Sequence, residues 1–210
     1  MYIPSFNNVD DKAQIREMVA RVSSAQFVTV GDDGFPTATM LPILWVDDTV
    51  IAHMAKANPH WQRLAPDSPA LLICSGPDAY ISPTWYAAKY EHGRVVPTWN
   101  YSAVHLFATA RVHQDPAWLR DAVERLTERH EHARPNPWRV TDAPAPYIDG
   151  QLKGIVGIEL TVQRVEAKAK LSQNRSAADR HGVIDGLRTE HSGTGARAVA
   201  EEMAALEATR

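Results

Sequence analysis

Three apolar segments follow one another with almost no chain between them, and this constrains the fold more than any other feature. Residues 26–30, 36–46 and 49–54 each read as a strand. Gly31-Asp32-Asp33-Gly34 joins the first pair, and Asp-Gly suits the positive φ angles of a tight hairpin. Asp47-Asp48 joins the second pair. Connections this short allow only antiparallel neighbours, because a parallel pair needs a long crossover. Further strands are expected at 70–75, at 79–82 beyond Gly76-Pro77, at 104–113, and along 154–170. In the last stretch Ile158, Leu160 and Val162 alternate with Glu159, Thr161 and Gln163.

Helices are predicted at 10–22, with the stripe Ile15, Met18, Val19 and Val22, and at 59–64, where Pro59 follows Asn58. Residues 116–132 read as a helix capped by Asp115, with Leu119, Val123 and Leu126 on one side. A short helix is expected at 177–188. A weak one follows at 197–208, after the flexible run Ser192-Gly193-Thr194-Gly195. Residues 83–103, rich in proline and aromatic rings, read as a long ordered loop, and 135–146 as irregular chain. Strands do not alternate regularly with helices, which disfavours a doubly wound nucleotide fold. The expected fold is mainly β (α+β), a small closed antiparallel barrel with peripheral helices.

Composition excludes several classes. With 210 residues, 44% hydrophobic and 22% charged, the chain can bury a core and is neither disordered nor fibrous. No apolar run approaches the ~20 residues of a membrane span, and the N-terminus reads as no secretory signal. The single cysteine, Cys74, rules out an intrachain disulfide and a cysteine-based zinc cluster. These features favour a reducing cytoplasm. Net charge is −3, with residues 1–105 carrying −3 and residues 106–210 balanced. That is not the footprint of a protein that holds nucleic acid by bulk charge.

There is no G-x-G-x-x-G, Walker loop, H-E-x-x-H or G-x-S-x-G. His130 and His132 fall on different helix faces and are read as no metal pair. Three segments carry candidate chemistry, each with two readings. In HMAKANPHW, from His53 to Trp61, a strand runs into a helix start beside Lys56, which suits a phosphate. The other reading is a plain turn capped by Asn58. PTW occurs at Pro83–Trp85 and again at 97–99; its rings and hydroxyls either bracket a flat heterocycle or pin a loop to the barrel. KLSQNRS, residues 170–176, offers an anion site or an ordinary helix cap.

In chain order the segments MYIPSF, TMLP (39–42), HMAKANPHW, YISPTWY, EHGRVVPTWNY, LTERHE, PWRV, YIDGQLKGIVGIEL and KLSQNRSAADR resemble the PaiB-like family of FMN-binding negative transcriptional regulators. The match runs from Met1 to about Arg188. The resemblance implies a flavin-reductase-like split barrel over 1–188, with an inserted helix at about 116–132 and a tail at 189–210. It implies a homodimer with FMN at the subunit interface. By similarity Thr39, Met40 and Leu41 lie along the flavin ring, and His53, Ala55, Lys56 and Asn58 near the phosphate. Trp61, Trp85, Thr98, Trp99 and Asn100 close the pocket, some from the second subunit. Gln173 and Asn174 bond the ring or the ribityl chain, and Arg175 joins Lys56 as a phosphate base.

No catalytic acid or base is assigned; His53, His92 and His105 are equal candidates for a proton donor near a flavin. No helix-turn-helix is visible. Arg120, Arg125 and Arg129 of the 116–132 helix are interleaved with Asp121, Glu124, Glu128 and Glu131, as on a solvated helix surface. Regulation through DNA contact or through a protein partner both stay open. A flavin-dependent oxidoreductase using NADH or NADPH is the alternative function, and a binding or storage module a third.

Overall fold

The structure, a computed structural model, describes residues 1–31, 33–190, 193 and 195–208. Six strands close into a barrel in the order β1 (Ser24–Val30), β2 (Pro36–Val46), β3 (Thr49–Ala55), β6 (Ile155–Lys170), β5 (Thr98–His113) and β4 (Ser68–Ile81). The pairs β1–β2, β2–β3, β3–β6 and β1–β4 are antiparallel. The meander read from the short turns is therefore present. Of its first turn, Asp32 lies outside the described residues, and Gly34 takes φ +78°. Of the 192–195 run, Ser192 and Thr194 also lie outside them.

Six α-helices accompany the strands: α1 (Lys12–Val22), α2 (Ala87–Glu91), α3 (Pro116–Glu131), α4 (Ala145–Leu152), α5 (Ala177–Thr189) and α6 (Ala196–Ala208). The chain forms two compact units. The barrel unit comprises Arg16–Cys74 and His105–Val165. Its interior holds Phe27, Leu72, Leu106, Ile158 and Leu160, all fully buried. Each such side chain stabilises the fold by about 1.5–3 kcal/mol. Outside the barrel, α3 lays Ala122 and Leu126 on Ile51. Its Leu119 packs with Val140, Ile148 and Leu152. Asp115 caps α3, its Oδ2 accepting the Trp118 N–H at 2.9 Å. The other unit comprises Met1–Ile15, Ser75–Val104 and the described residues from Glu166 on. Its core joins Ala79, Ile81, Tyr86, Val183, Leu187, Val199 and Met203, so α6 packs on α5 through Val199, Ala200 and Met203.

Three expectations are corrected. Residues 70–75 and 79–82 are one strand, because Gly76-Pro77 continues β4 rather than turning it. Gly76 serves close approach instead: a Cβ there would stand 2.2 Å from Ser102 Oγ. Likewise Thr98 already belongs to β5, and a helix over 145–152 begins inside the 135–146 stretch that Pro144 and Pro146 made look irregular. Buried Ile148 and Leu152 override the weak local propensity of α4.

Gly157 on β6 shows how tightly α3 is seated. A Cβ there would lie 2.0 Å from the Trp118 ring, which stacks on His113 at 4.2 Å between centroids and 4° between planes. Overpacking of this kind costs about 1–3 kcal/mol. Gly157→Ala is expected to lower the urea midpoint accordingly, with little change in slope; an unchanged midpoint would show that the Trp118 ring can move aside.

Candidate functional site

In the barrel unit, a buried imidazole organises a polar cluster. Asn58 caps the 3₁₀ turn Pro59–Arg63, its Oδ1 accepting the His60 N–H at 3.0 Å. That turn drives His60 inward to 1% exposure, where its ring stacks on Phe27 with centroids 4.8 Å apart. His60 Nε2 lies 2.8 Å from Thr29 Oγ1, and Nδ1 lies 2.8 Å from Thr39 Oγ1. Asn58 Nδ2 donates to the same Thr39 oxygen at 3.3 Å. Arg63, at the end of the turn, donates to Thr37 Oγ1 at 3.2 Å. With Nδ1 protonated, Thr39 Oγ1 accepts two hydrogen bonds and keeps its own proton for a ligand oxygen. The result is a hydroxyl, an amide and a guanidinium along the start of β2, which together suit an oxyanion.

Burial lowers the His60 pKa from its ordinary 6.5, and the Arg63 charge lowers it further. Burial also lowers that of His53, whose buried Nδ1 has no hydrogen-bond partner among the described residues. Both imidazoles are thus held neutral, the form the Thr29–His60–Thr39 chain needs.

The other unit carries a second polar cluster, built around lysines. Lys168, 6% exposed, donates to the Tyr2 carbonyl at 3.0 Å and to the Tyr101 hydroxyl at 2.8 Å. Lys170 donates to Thr98 Oγ1 at 2.6 Å and to the Trp99 carbonyl. Its pKa is lowered by burial, then by the charges of Lys168 and Arg175. Trp99 is 52% exposed and meets Tyr80 edge-on at 6.3 Å. The Arg175 guanidinium stands 4.7 Å over the Tyr86 ring, and burial raises the Tyr86 pKa.

The residues singled out from sequence therefore fall into two groups. In the barrel unit, Thr39 and Asn58 meet directly. Met40 is 66% exposed while Leu41 is buried, as neighbours on a strand must be. Trp61 Nε1 donates to the Lys56 carbonyl at 3.0 Å. His53 is on β3, Ala55 ends that strand, and the Lys56 side chain borders a separate cavity. In the other unit, Thr98 and Trp99 meet at Lys170. Asn100 is fully buried, its Nδ2 donating to Ser172 Oγ at 3.0 Å. Gln173 Oε1 accepts the Leu171 N–H at 2.7 Å, and Asn174 is exposed. Trp85 donates to Glu190 at 2.8 Å and lies against Gly186, where a Cβ would come within 2.4 Å of its ring. His92 Nδ1 accepts the Arg94 N–H; back in the barrel unit, the His105 ring meets Phe107 edge-on. Sequence reasoning passed over Thr29, Thr37, His60, Arg63, Lys168 and Lys170. His60 stood inside HMAKANPHW, and the alternation of Thr37 with Thr39 was the signal for a hydroxyl row.

Comparison with known proteins bears on this geometry. Residues 1–164 match the family described as "Putative FMN-binding domain". Over 196 residues the chain is 34% identical to the protease synthase and sporulation protein PAI 2 (PaiB) of Bacillus subtilis, covering 91% of each. The chain belongs to the PaiB-like family of FMN-binding proteins. Among solved structures, the FAD- and haem-binding protein of Mycobacterium smegmatis superposes with a TM-score of 0.62 at 17% identity, over 83% of this chain and 78% of that one. The flavocytochrome Anf3 of Azotobacter vinelandii gives 0.57 at 14% identity, over 80% and 72%. At these identities the likeness concerns the fold, a split barrel.

The family's cofactor, FMN, has one strongly anionic end, and the donors along β2 fit it. Thr37, Thr39, Asn58 and Arg63 present neutral and charged hydrogen-bond donors. No helix among the described residues is long and apolar enough to cross a membrane. Among the same residues no group of three or more metal-binding side chains converges.

The neutral state of His60 has a consequence for stability. The unfolded chain takes up protons as pH falls below about 6.5, while folded His60 and His53 resist protonation. Stability conferred by these neutral imidazoles is complete above that pH and is lost as pH falls toward their folded values. The urea midpoint is expected to drop between pH 7.5 and 5.5, and to drop less in His60→Gln. A variant with the same pH slope as the wild type would remove His60 as a source of the dependence.

Proposed function

We propose that this chain holds FMN as a homodimer and acts as a negative regulator of gene expression, with flavin occupancy or redox state as its signal. The observation that carries the reading is the Thr39 hydroxyl, set between His60 and Asn58 and flanked by Arg63. In this reading Thr37, Thr39, Asn58 and Arg63 grip the phosphate, and His60 positions Thr39 without touching the ligand. Bound FMN supplies a two-electron carrier, and the protein supplies binding and electrostatics. Exposed Met40, and Trp99 beside Lys170, support a flat ring shared between two copies. Thr98, Trp99 and Arg175 are then offered to the flavin of the partner.

Regulation through a protein partner is favoured over direct DNA contact by α3. Arg125 lies 3.5 Å from Asp121, Arg120 pairs with Asp149 at 2.5 Å, and Arg129 donates to the Ala20 carbonyl. Arg120 and Arg125 are thus offset by carboxylates, which weakens the field a phosphate backbone would feel. The relative PAI 2, by its name a sporulation protein, supports a regulatory role. Cys74 suits the reducing cytoplasm in which this reading places the protein: burial pushes its thiol up to about 12, an inert state.

Titration with FMN and with riboflavin, followed by flavin fluorescence, tests the phosphate grip. Thr39→Val and Arg63→Ala are each expected to weaken FMN about ten-fold, the loss of roughly 1.4 kcal/mol, with riboflavin unchanged. Equal losses for the two ligands would move these residues out of the phosphate site. Purified protein that carries no flavin and binds none when it is added would end the reading altogether.

A further inference from the structure

Apart from the Thr39 cluster, the barrel unit contains a partly enclosed cavity of about 360 Å³. It forms where three chain junctions meet: the end of β3, the passage from β5 into α3, and the passage from α4 into β6. These junctions are tied together by backbone. Lys56 N–H donates to the Gly154 carbonyl at 2.8 Å, and Gly154 N–H to the Gln151 carbonyl at 2.9 Å. The cavity is thus built by the fold and does not depend on loop closure.

Its walls are apolar: Pro116 and Leu119 from α3, Leu152 from α4 and Ile155 from β6. Leu119 and Leu152 already belong to one buried cluster, so the wall is an opening in a packed layer. The charged groups at its margin are two lysines and one aspartate. Lys56 and Lys153 both border it, and among the described residues neither ammonium has an ion-pair partner. Asp149 also borders it, but its carboxylate is bound to Arg120 at 2.5 Å. Gln114 adds an amide.

We infer that this cavity binds a small organic monocarboxylate with an apolar body. Its volume lies at the small end for ligand sites and accommodates a molecule of roughly ten heavy atoms. Leucine, isoleucine and proline walls reward an alkyl or aryl body at about 25 cal/mol per Å² buried. Two ammonium groups and one amide are enough for the two oxygens of a carboxylate. A phosphate dianion brings a third charged oxygen, which these walls leave without a donor. An uncharged ligand of the same body forgoes the lysines, and a cation meets two like charges. Lys56, placed near the phosphate by the family resemblance, borders the cavity, but Thr37, Thr39, Asn58 and Arg63, the phosphate donors of the flavin reading, do not, so the inference does not rest on that reading.

Calorimetric titration of the full chain, with FMN added in excess, tests it using hexanoate, hexan-1-ol and hexylammonium as size-matched probes. Hexanoate is expected to bind one per chain, and the other two at least about ten-fold more weakly. Lys153→Met, on an exposed side chain that the core does not need, is expected to weaken hexanoate about ten-fold and to leave hexan-1-ol unchanged. Leu152→Trp, which fills the space, is expected to abolish binding; its buried position can prevent folding, so Lys153→Met decides. Equal binding of the three probes, no saturable heat from hexanoate, or an unaffected Lys153→Met would each overturn the inference. So would release of bound FMN by hexanoate, which would assign the cavity to the flavin. Hexanoate binding to a chain that takes up no FMN would uphold the inference while the flavin reading failed.

Discussion

The Thr29–His60–Thr39 contact is the interaction on which the barrel unit's site depends. One imidazole, almost fully buried, spans β1 and β2 through two hydroxyls at 2.8 Å each. It can do so only because Asn58 caps the turn that carries it and Phe27 provides a flat surface beneath it. A buried polar ring is costly unless both nitrogens are satisfied. Here both are, and satisfying them orients Thr39. The same contact therefore serves packing and, in the proposed reading, recognition. A carbon side chain at position 60 could fill the space but could not orient the hydroxyl.

Much of the fold was legible because it rested on local rules. β2 begins and ends where the residues predict, since Pro36 and the Asp47-Asp48 turn bound it on both sides. α3 begins at its capped proline for the same reason. What misled was glycine and proline read as punctuation. Gly76-Pro77 lies within a strand because Ser102 crowds that backbone, a tertiary fact with no local signature. α4 was hidden in the same way, as its helix depends on where Ile148 and Leu152 are buried rather than on what flanks them.

The site was legible in part, along a different line. Family resemblance pointed to HMAKANPHW, and the structure gives that segment its work through Asn58 and His60. Histidine at position 60 escaped notice because a lone histidine in a helical turn has no periodic signal; its role appears only when Thr29 and Thr39 are brought opposite it by strand pairing. Phe27 pairs with Thr39 and Thr29 with Thr37 across β1 and β2, a register no short motif encodes. Lys168 and Lys170 escaped for the opposite reason. On an alternating strand they read as solvent-facing, yet Lys168 is buried among tyrosine oxygens.

Charge pairing then separates structural cations from available ones. The chain carries a net charge of −3, so carboxylates are plentiful and a cation without one is informative. The arginines of α3 are engaged by Asp121, Asp149 and a backbone carbonyl, as expected of a helix surface built to stay folded. Arg180 is held by Glu207 at 2.6 Å, which raises its pKa and joins α5 to α6. Among the described residues Arg63, Lys153 and Lys170 stand apart from such pairs, each beside a hydroxyl row, an apolar cavity or an exposed indole. Surface ion pairs contribute little to stability, so leaving exposed Arg63 and Lys153 unpaired costs the fold almost nothing, whereas Lys170 is charged against burial and the charges of Lys168 and Arg175. In the proposed readings Arg63 and Lys153 thereby keep their charge for an anionic ligand.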